Sequence, residues 1–262
     1  MTSIVVVGSI NLDVACSCER FPGPGETVPG DRIAYGRGGK GANQAAAAAR
    51  AGAATTFIGA VGDDGARVLD SLGDVDLRVT RVPGPTGTAV ITVDGRGENT
   101  IVVVPGANAL LSLTDDDRRV VADADVLLMQ SEVPVPVVLD AARAARAGGT
   151  TVILNPSPVR DLPDELWSLV DVVVVNESEA SASASHLARI PTVVTTFGAN
   201  GAALRSPDGE FRVDGIAVDV VDTTGAGDAF TGTLAASWDL PPAERLARAN
   251  TAGARATTVA GA

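Results

Sequence analysis

The sequence has few of the residues that mark disulfide-rich, metal-binding or aromatic-lined proteins. Its 262 residues include two cysteines, one histidine and only 3% aromatic side chains. Two cysteines do not form a disulfide framework, and a metal site at Cys16 and Cys18 would need further ligands that one histidine cannot supply. We therefore interpret the cysteines as two small apolar side chains on one face of an extended segment. With so few aromatic residues, the core must consist mainly of Ala, Val, Leu and Ile.

Positive charge and long apolar runs are scarce as well. The chain has 20 Lys and Arg against 32 Asp and Glu, a formal net charge of −12. Proteins that bind nucleic acid usually present a basic face, so nucleic acid is not an expected partner. No apolar run approaches the ~20 residues that span a bilayer, and no basic segment of a signal peptide follows Met1. We expect no membrane contact and a cytoplasmic location.

The chain is rich in hydrophobic residues, at 45%, which excludes wholesale disorder. Its length corresponds to roughly 1.7 average domains, so we expect one large domain or one domain with a small appendage. Short β-branched runs alternate with Ala-rich stretches, which predicts a mostly parallel sheet with helices on both faces. The predicted strands are 3–7, 55–59, 126–129, 151–154, 172–175 and 192–196; the predicted helices are 41–51, one capped by Thr114, 135–147, one around Glu165, and two beginning near Ala226 and Ala243.

Two segments, about 12–36 and 88–104, break this alternation because their strand-like runs have no helix between them. The second contains a hairpin signature, with Asp94 and Gly95 at the turn between two β-rich runs. Two such excursions predict a small β-lid over one edge of the sheet. We find no repeat or linker, so residues 1–262 are predicted to form a single α/β domain.

A glycine-rich segment at 36–41 (GRGGKG) formally matches the dinucleotide-binding fingerprint, but it does not follow the first strand. It also fails as a Walker A loop, because Gly41 follows Lys40 where Ser or Thr is required. What remains is a turn that holds Lys40, with Asn43 and Gln44 opening a helix. Glycines allow a ligand to approach the backbone, and these polar groups could bind hydroxyls. A plain strand-to-helix turn would not need Lys and Asn together.

The segment 222–228 (DTTGAGD) opens another helix, whose first N–H groups lie unpaired at the positive end of the helix dipole. Gly225 and Gly227 clear side chains from these donors, which favours an anion hole for a phosphoryl group. Asp228 could simply complement the helix dipole. A carboxylate beside an anion hole is, however, also what phosphoryl transfer to a hydroxyl requires, as a base that accepts the hydroxyl proton.

Two further candidates are ambiguous from the residues alone. Asn176 and Glu179 follow a predicted buried strand, at the edge where α/β sheets bind ligands, and could orient Mg²⁺ waters and phosphate oxygens. The same pair could merely open a helix. His186, the only histidine, is predicted to be solvent-exposed rather than catalytic.

Taken together, the motifs resemble those of the PfkB family of carbohydrate kinases, and within it the ribokinases. The likeness extends over nearly the whole chain, and GGKGANQA (38–45) and DTTGAGDAF (222–230) are its most specific segments. The other matching segments are GSINLD, FPGPGET, DGRGENTI, PGANA, LLMQSEVP, LNPSPVR, NESE and TTFGANG.

The resemblance implies a ribokinase-like α/β fold, with a mostly parallel central sheet flanked by helices and a small β-lid. It implies transfer of a phosphoryl group from ATP to the 5-hydroxyl of D-ribose, with Mg²⁺ and a K⁺ activator, by a homodimer joined through the lid. The alternatives are another PfkB-type kinase, acting on a nucleoside, fructose or ketodeoxygluconate, and a non-catalytic sugar- or nucleotide-binding relative.

The resemblance also assigns site residues. Asp228 would be the catalytic base, beside an anion hole of Gly225, Ala226 and Gly227. The sugar would be bound by Asn11, Asp13, Gly39, Lys40, Asn43, Glu132 and Asp228. The phosphate–Mg²⁺ end and the nucleotide would be bound by Asn176, Glu179, Thr196, Gly198, Asn200, Gly201, Gly227 and Asn250. The K⁺ ion would be bound by Asp222, Thr224, Ala256, Val259 and Gly261.

The sequence departs from the family pattern in two places. Only eleven residues, 180–190, separate Glu179 from Pro191, where the family usually has a longer helical stretch. The sequence ends at Ala262, where ribokinases continue through a segment that completes the cation loop. Both places border the nucleotide and cation side, so K⁺ activation is expected to be weak.

Overall fold

The computed structural model describes residues 1–259 and contains two β-sheets. The large sheet has nine strands in the order β13-β12-β11-β10-β9-β8-β1-β4-β5. Neighbours from β11 through β5 pair in parallel, and β12 and β13 add an antiparallel hairpin at one edge. The strands are β1 Ser3–Val7, β4 Ala54–Val61, β5 Asp76–Arg81, β8 Val126–Gln130, β9 Thr151–Asn155, β10 Val172–Asn176, β11 Thr192–Thr196, β12 Ala202–Ser206 and β13 Gly209–Val213.

Helices cover both faces of the large sheet, which confirms the predicted α/β architecture. In β1, Ile4 and Val6 belong to one buried cluster, and Val5 and Val7 belong to another on the opposite face. This is why the run is apolar throughout rather than alternating. The helices are α1 Lys40–Arg50, α2 Ala66–Leu69, α3 Asp115–Ala122, α4 Val135–Gly148, α5 Asp164–Leu169, α6 Glu177–Ala182, α7 Ala184–Leu187, α8 Ala226–Ala236 and α9 Pro242–Ala256.

The helix ends follow from local chemistry. Thr114 accepts a hydrogen bond from the N–H of Asp117, whose side chain in turn accepts from the N–H of Thr114, which forms the expected N-terminal cap of α3. Gly149 ends α4 in the left-handed conformation. The connection at 180–190 is filled by the short helices α6 and α7.

The predicted exposure of His186 is wrong. Its ring stacks on Trp167, with centroids 4.7 Å apart and an interplanar angle of 9°, and its side chain is only 31% exposed. The sequence pattern misled because the Ser- and Ala-rich surroundings suggested solvent, whereas the large apolar partner comes from α5, a different part of the chain. The edge strands β5, β12 and β13 were also not predicted.

The second sheet has four strands in the order β3-β2-β6-β7. Its strands are β2 Asn11–Cys18, β3 Gly30–Gly38, β6 Gly87–Val93 and β7 Asn99–Val104. The two hairpins expected from the sequence are joined through parallel pairing of β2 with β6. We call this element the small sheet. Its first hairpin, β2–β3, lies between β1 and α1 in the chain, so its first residues lie at the carboxyl end of β1, and β6 and β7 follow β5.

No helix within residues 1–259 is both long and apolar enough to cross a membrane.

Candidate active site

Polar side chains end four neighbouring parallel strands at the same edge of the large sheet. Each of these residues is the last one of its strand; they are Gln130, Asn155, Asn176 and Thr196, on β8 to β11. The carboxyl edge of a parallel sheet is where open α/β folds bind ligands. The small sheet and the N-termini of α1 and α8 meet this edge at β1, next to β8.

Gly39 alone forms the turn between β3 and α1. Its φ of +87° is in the region that favours glycine, and an added Cβ would lie 2.7 Å from the Cα of Ile10. The N-terminus of α1 therefore lies directly against the residues that leave β1. This close contact is the physical reason for the glycine-rich segment, and it brings Lys40 and Asn43 to the edge of the sheet.

Glu132 fixes the first turn of α1 to the end of β8. Its Oε2 accepts hydrogen bonds from the backbone N–H of Lys40, at 2.9 Å, and from the hydroxyl of Ser9. The same hydroxyl lies 3.3 Å from the N–H of Gly41, which donates to it. The carboxylate thus satisfies donors that the helix start leaves unpaired.

Asp13 projects from β2 toward the same region and has an unsatisfied acceptor. Its Oδ1 is buried and has no hydrogen-bond partner among residues 1–259. Gly38, on the neighbouring strand, makes room for the carboxyl group, because an added Cβ would lie 1.9 Å from Oδ1. Burial, with the negative charge of Glu132 as a smaller cause, raises the pKa of Asp13 to about 6. An incoming hydroxyl would satisfy this oxygen.

Asn11, two residues earlier on β2, is also buried. Its Oδ1 accepts a hydrogen bond of 2.8 Å from Nδ2 of Asn108, and Oδ1 of Asn108 accepts from the N–H of Ile10. Asn108 therefore orients Asn11 and leaves its amide Nδ2 as the available donor. Asn11 and Asp13 point to the same side of β2, as alternate residues of a strand do.

Asp228 lies in the first turn of α8, opposite the start of α1. The carboxyl group is buried and accepts hydrogen bonds from Nε2 of Gln44, at 2.8 Å to Oδ1, and from Nδ2 of Asn43, at 3.4 Å to Oδ2. Burial raises the pKa of Asp228, and the positive charge of Lys40 and the donated hydrogen bonds oppose this increase. The result is a carboxylate of increased basicity at the end of a helix.

The N-terminus of α8 is open beside this carboxylate. Gly225, the N-cap, has a φ of +76° and no side chain that could accept from the first turn. The N–H of Ala226 faces the carbonyl of Thr223 at 3.3 Å, so the N–H groups of Gly227 and Asp228 are the more available donors. Unpaired N–H groups at a helix N-terminus suit an anion.

A cavity of about 620 Å³ adjoins this helix start, between α8, α9 and the segments 196–201 and 215–220. It contains Thr196, Gly198, Gly201, Gly227 and Asn250 of the predicted nucleotide residues. Asn200 is exposed and does not line it. Its other walls are mostly small or aliphatic residues, together with Phe230 and two threonines. They are Ala199, Gly215, Ile216, Ala217, Val218, Val220, Thr223, Ala226, Phe230, Gly253, Ala254 and Thr257.

Asn176 and Glu179 form a capping box at the start of α6. The Oδ1 of Asn176 accepts from the N–H of Glu179, and Oε2 of Glu179 accepts from the N–H of Asn176, both at 2.9 Å. Both side chains therefore cap the N-terminus of α6, as the helix-opening interpretation predicts. Nδ2 of Asn176 and Oε1 of Glu179 are the atoms left for a second use.

The predicted cation residues lie where the loop before α8 meets the end of α9. Oδ1 of Asp222 accepts from the N–H of Thr224 at 2.8 Å, and the N–H groups of Val221 and Asp222 donate to the carbonyl of Thr257. Ala256 is the last residue of α9, and Val259 is exposed. Gly261, the fifth predicted residue, lies outside the described residues.

A sequence model of the pfkB family of carbohydrate kinases matches residues 1–262. The chain belongs to this family.

Three relatives illustrate how this PfkB chain compares with known proteins. It is 36% identical to ribokinase of Staphylococcus aureus, over 88% of the chain and 84% of that protein. It is 39% identical to a bifunctional ribokinase/ribose-5-phosphate isomerase A of Fructilactobacillus sanfranciscensis, over 92% of the chain, and spans about half (49%) of that protein. The structure of Arabidopsis thaliana ribokinase complexed with ribose and ATP superposes with a TM-score of 0.93 at 33% identity, over 100% of this chain and 94% of the other. The ribokinase-like fold and the family resemblance are thereby confirmed.

Sequence reasoning missed several polar residues of this PfkB site. They are Ser9, Asn108, Gln130 and Asn155, all buried. A usable signal exists for two of them, because Gln130 and Asn155 each follow an uninterrupted apolar run that reads as a buried strand. Gln44 was expected among the groups that could bind hydroxyls, but its hydrogen bond to Asp228 was not predicted.

Proposed function

We propose that the chain is an ATP-dependent kinase that phosphorylates the 5-hydroxyl of D-ribose. Its membership of the PfkB family and its similarity to several ribokinases support this proposal. Similarity to the Arabidopsis ribokinase, solved with ribose and ATP, supports the same pair of substrates.

The arrangement of a half-buried carboxyl group, Asp13, and a buried one, Asp228, around one edge of the sheet carries the proposal. Asp13 has a buried acceptor with no partner among the described residues, on the small sheet. Asp228 lies beside the open N-terminus of α8. Polyols need such acceptors, and phosphoryl transfer needs a base next to anion-binding N–H groups. Asn11, Lys40, Asn43, Glu132 and the backbone of Gly39 complete the proposed sugar site.

The reaction follows from this arrangement. The carboxylate of Asp228 accepts the proton of the 5-hydroxyl while that oxygen forms a bond to the γ-phosphorus of ATP. The bond between the γ-phosphorus and the bridging oxygen breaks, and its electron pair leaves with ADP. The N–H groups of Gly227 and Asp228 donate to the charged oxygens of the transferring group, with Gly225 and Ala226 shaping the turn.

We assign the 620 Å³ cavity to the nucleotide. Its aliphatic walls suit an adenine ring, and Thr196, Gly198, Gly201 and Asn250 line it. Asn200 would act from the rim of the cavity. Oε1 of Glu179 would accept hydrogen bonds from the waters around Mg²⁺, and Nδ2 of Asn176 would donate to a phosphate oxygen, while the ion would neutralise phosphate charge.

The loop before α8 is our candidate for the K⁺ site. Asp222 would contribute a carboxylate, and Thr224, Ala256 and Val259 would contribute carbonyl or hydroxyl oxygens, the ligand type that suits a monovalent cation. Gly261 remains part of this proposal. A titration of the rate with KCl, against tetramethylammonium chloride at constant ionic strength, tests it. A rate that does not respond to K⁺ contradicts the site.

The small sheet is our candidate for both the lid and a homodimer interface. All six residues of β7 are exposed, including Ile101 and Val103, and Ile33 and Tyr35 of β3 are more than half exposed. An apolar surface of this kind on an edge strand favours pairing with another chain. Light scattering of the protein with Ile101→Lys and Val103→Lys should give a lower mass than the unaltered chain if this interface exists.

The decisive experiment is a coupled assay of ADP release with ribose, fructose, adenosine and ketodeoxygluconate as acceptors. We expect the highest kcat/KM with ribose. A higher kcat/KM with another acceptor would indicate that the chain is a PfkB-type kinase with that acceptor as its substrate. Binding of sugar without ADP release from any acceptor would indicate the non-catalytic alternative.

A further inference from the structure

Gln44 is a buried amide with all its hydrogen-bonding groups engaged. Its side chain is 0% exposed. Nε2 donates to Oδ1 of Asp228 at 2.8 Å and to Oδ1 of Asn155 at 3.1 Å, and Oε1 accepts from Nε2 of Gln130 at 2.7 Å. Buried amides of this kind orient their neighbours, because an unmade hydrogen bond there has a large cost.

The direction of these hydrogen bonds is fixed at one end by the backbone. Nδ2 of Asn155 donates at 2.9 Å to the carbonyl of Val174, which can only accept. Oδ1 of Asn155 must therefore face Gln44, and only the NH₂ group of Gln44 can satisfy it. The same NH₂ group is consequently the one that reaches Asp228, and Oε1 turns to Gln130. A flipped Gln44 would place an acceptor against two acceptors.

We propose that Gln44 is a positioning residue for phosphoryl transfer, which keeps Oδ1 of Asp228 occupied so that Oδ2 accepts the proton of the substrate. Among residues 1–259, Oδ2 has only the longer contact of 3.4 Å with Asn43, whereas Oδ1 has the short bond to Gln44. The two carboxylate oxygens thus have different roles. The inference rests on the proposed role of Asp228 as the base.

The hydrogen bond that Gln44 donates also stabilises the ionised form of Asp228, which burial disfavours. Burial raises the pKa of this carboxyl group, and the hydrogen bond from Gln44 lowers it. The charged groups that act on Asp228 are Lys40 at the start of α1, Glu132 after β8, and Arg37 of β3. Removing the amide while leaving these charges in place should therefore raise the pKa of Asp228 further.

The test compares Gln44→Met with Gln44→Glu. Methionine keeps the length and volume but has no donor, so we expect kcat to fall about 10-fold or more, with a smaller change in KM for ribose. The acidic limb of the pH–rate profile should move to higher pH. In Gln44→Glu, the protonated carboxyl group would donate its single O–H to Oδ1 of Asp228 and leave Oδ1 of Asn155 without a donor. This variant should therefore retain only part of the wild-type kcat, but more than Gln44→Met.

Thr150→Val is the matched control, because it also removes a buried hydrogen-bonding group. The Thr150 hydroxyl donates to the carbonyls of Val121 and Ala122, at the opposite end of β9 from the site. This variant should lose thermal stability and keep the wild-type pH–rate profile. A wild-type profile and kcat in Gln44→Met, or equal impairment of folded Gln44→Glu and Gln44→Met, would overturn the inference. Wild-type turnover in Asp228→Asn would instead overturn the assignment of the base.

Discussion

The proposed sugar and nucleotide sides of the site are built in different ways. On the sugar side, side chains hydrogen-bond to one another and to the backbone. Glu132 accepts from Ser9 and from the start of α1, and Gln44 donates to Asp228. The nucleotide side is a cavity of backbone and small aliphatic groups, where Gly201 lets the chain turn against β13. Directed polar groups distinguish the positions of hydroxyls, whereas a cavity of this kind selects by shape.

This difference predicts that single substitutions will be more damaging on the sugar side. There, each polar group supports another, and removing one leaves its partner buried and unpaired. On the nucleotide side, a substitution changes the shape of a wall, and neighbouring aliphatic groups can adjust.

Asp228→Asn should reduce kcat by roughly 10²- to 10⁴-fold, the usual contribution of a positioned base. Asparagine keeps the shape of the carboxylate but cannot accept the proton at neutral pH. Affinity for ribose should change little. Steady-state kinetics and calorimetry of the same preparation measure the two effects, and a wild-type kcat would exclude Asp228 as the base.

Asp13→Ala should act mainly on sugar affinity. A hydrogen bond to a charged group contributes about 1.5–3 kcal/mol, so the Kd for ribose should rise roughly 10- to 150-fold. The KM for ATP should stay near its wild-type value, because Asp13 lies on the small sheet, away from the nucleotide cavity. Unchanged ribose binding in a calorimeter would remove Asp13 from the sugar site.

The fold was predictable from the sequence because short apolar runs, which are local in the sequence, mark its core strands. An apolar run such as 172–175 is buried on both faces whatever follows it, and Gly149 ends a helix by its own backbone preference. The edge strands β5 and β12 were missed because they are short and only partly buried, so no strict pattern marks them.

The site was predictable where the motif and the chemistry coincide in sequence, as at Asp228 beside Gly225 and Gly227. The Gln44–Asp228 bond joins residues 184 positions apart, and no local pattern contains it. Likewise, the unpaired oxygen of Asp13 depends on which strand lies opposite, since Gly38 comes from β3. Long-range pairing, rather than residue type, decides these features.

Gly201→Ala should weaken nucleotide binding without affecting the sugar side of the site. Gly201 has a φ of +91°, and an added Cβ would lie 2.0 Å from the carbonyl of Val213, so the turn must shift. Strain of this kind costs about 1–3 kcal/mol, which would appear as a rise in the KM for ATP of roughly 5- to 150-fold. Ribose affinity should be unchanged. An equal loss of ribose affinity would mean that the two sides are not independent.

Asp13→Asn should stabilise the unliganded protein in a pH-dependent way. The pKa of Asp13 is raised to about 6 in the folded chain, so the folded state binds the proton more tightly than the unfolded state. Stability is therefore lost as the pH rises through the window between about 4 and 6. Asparagine removes this penalty, and its gain should be about 1–2 kcal/mol at pH 8 after solvent screening, and near zero at pH 4. Thermal melts at both pH values measure it; equal gains at both would contradict the raised pKa.

The smallest expected effect separates the two interpretations of Asn176. Asn176→Ala removes the cap of α6 and should cost about 1 kcal/mol of stability, whereas Asn176→Ser keeps an oxygen that can accept from the N–H of Glu179. Both variants lack Nδ2, the atom proposed to serve the phosphate–Mg²⁺ end. If the residue only caps the helix, Asn176→Ser should match the wild type in both melting temperature and KM for MgATP. If it also serves the nucleotide, Asn176→Ser should keep the melting temperature and raise this KM about 2- to 5-fold, the value of one weak hydrogen bond. We expect the second result, because the exposed Asn176 ends β10 at the ligand-binding edge of the sheet.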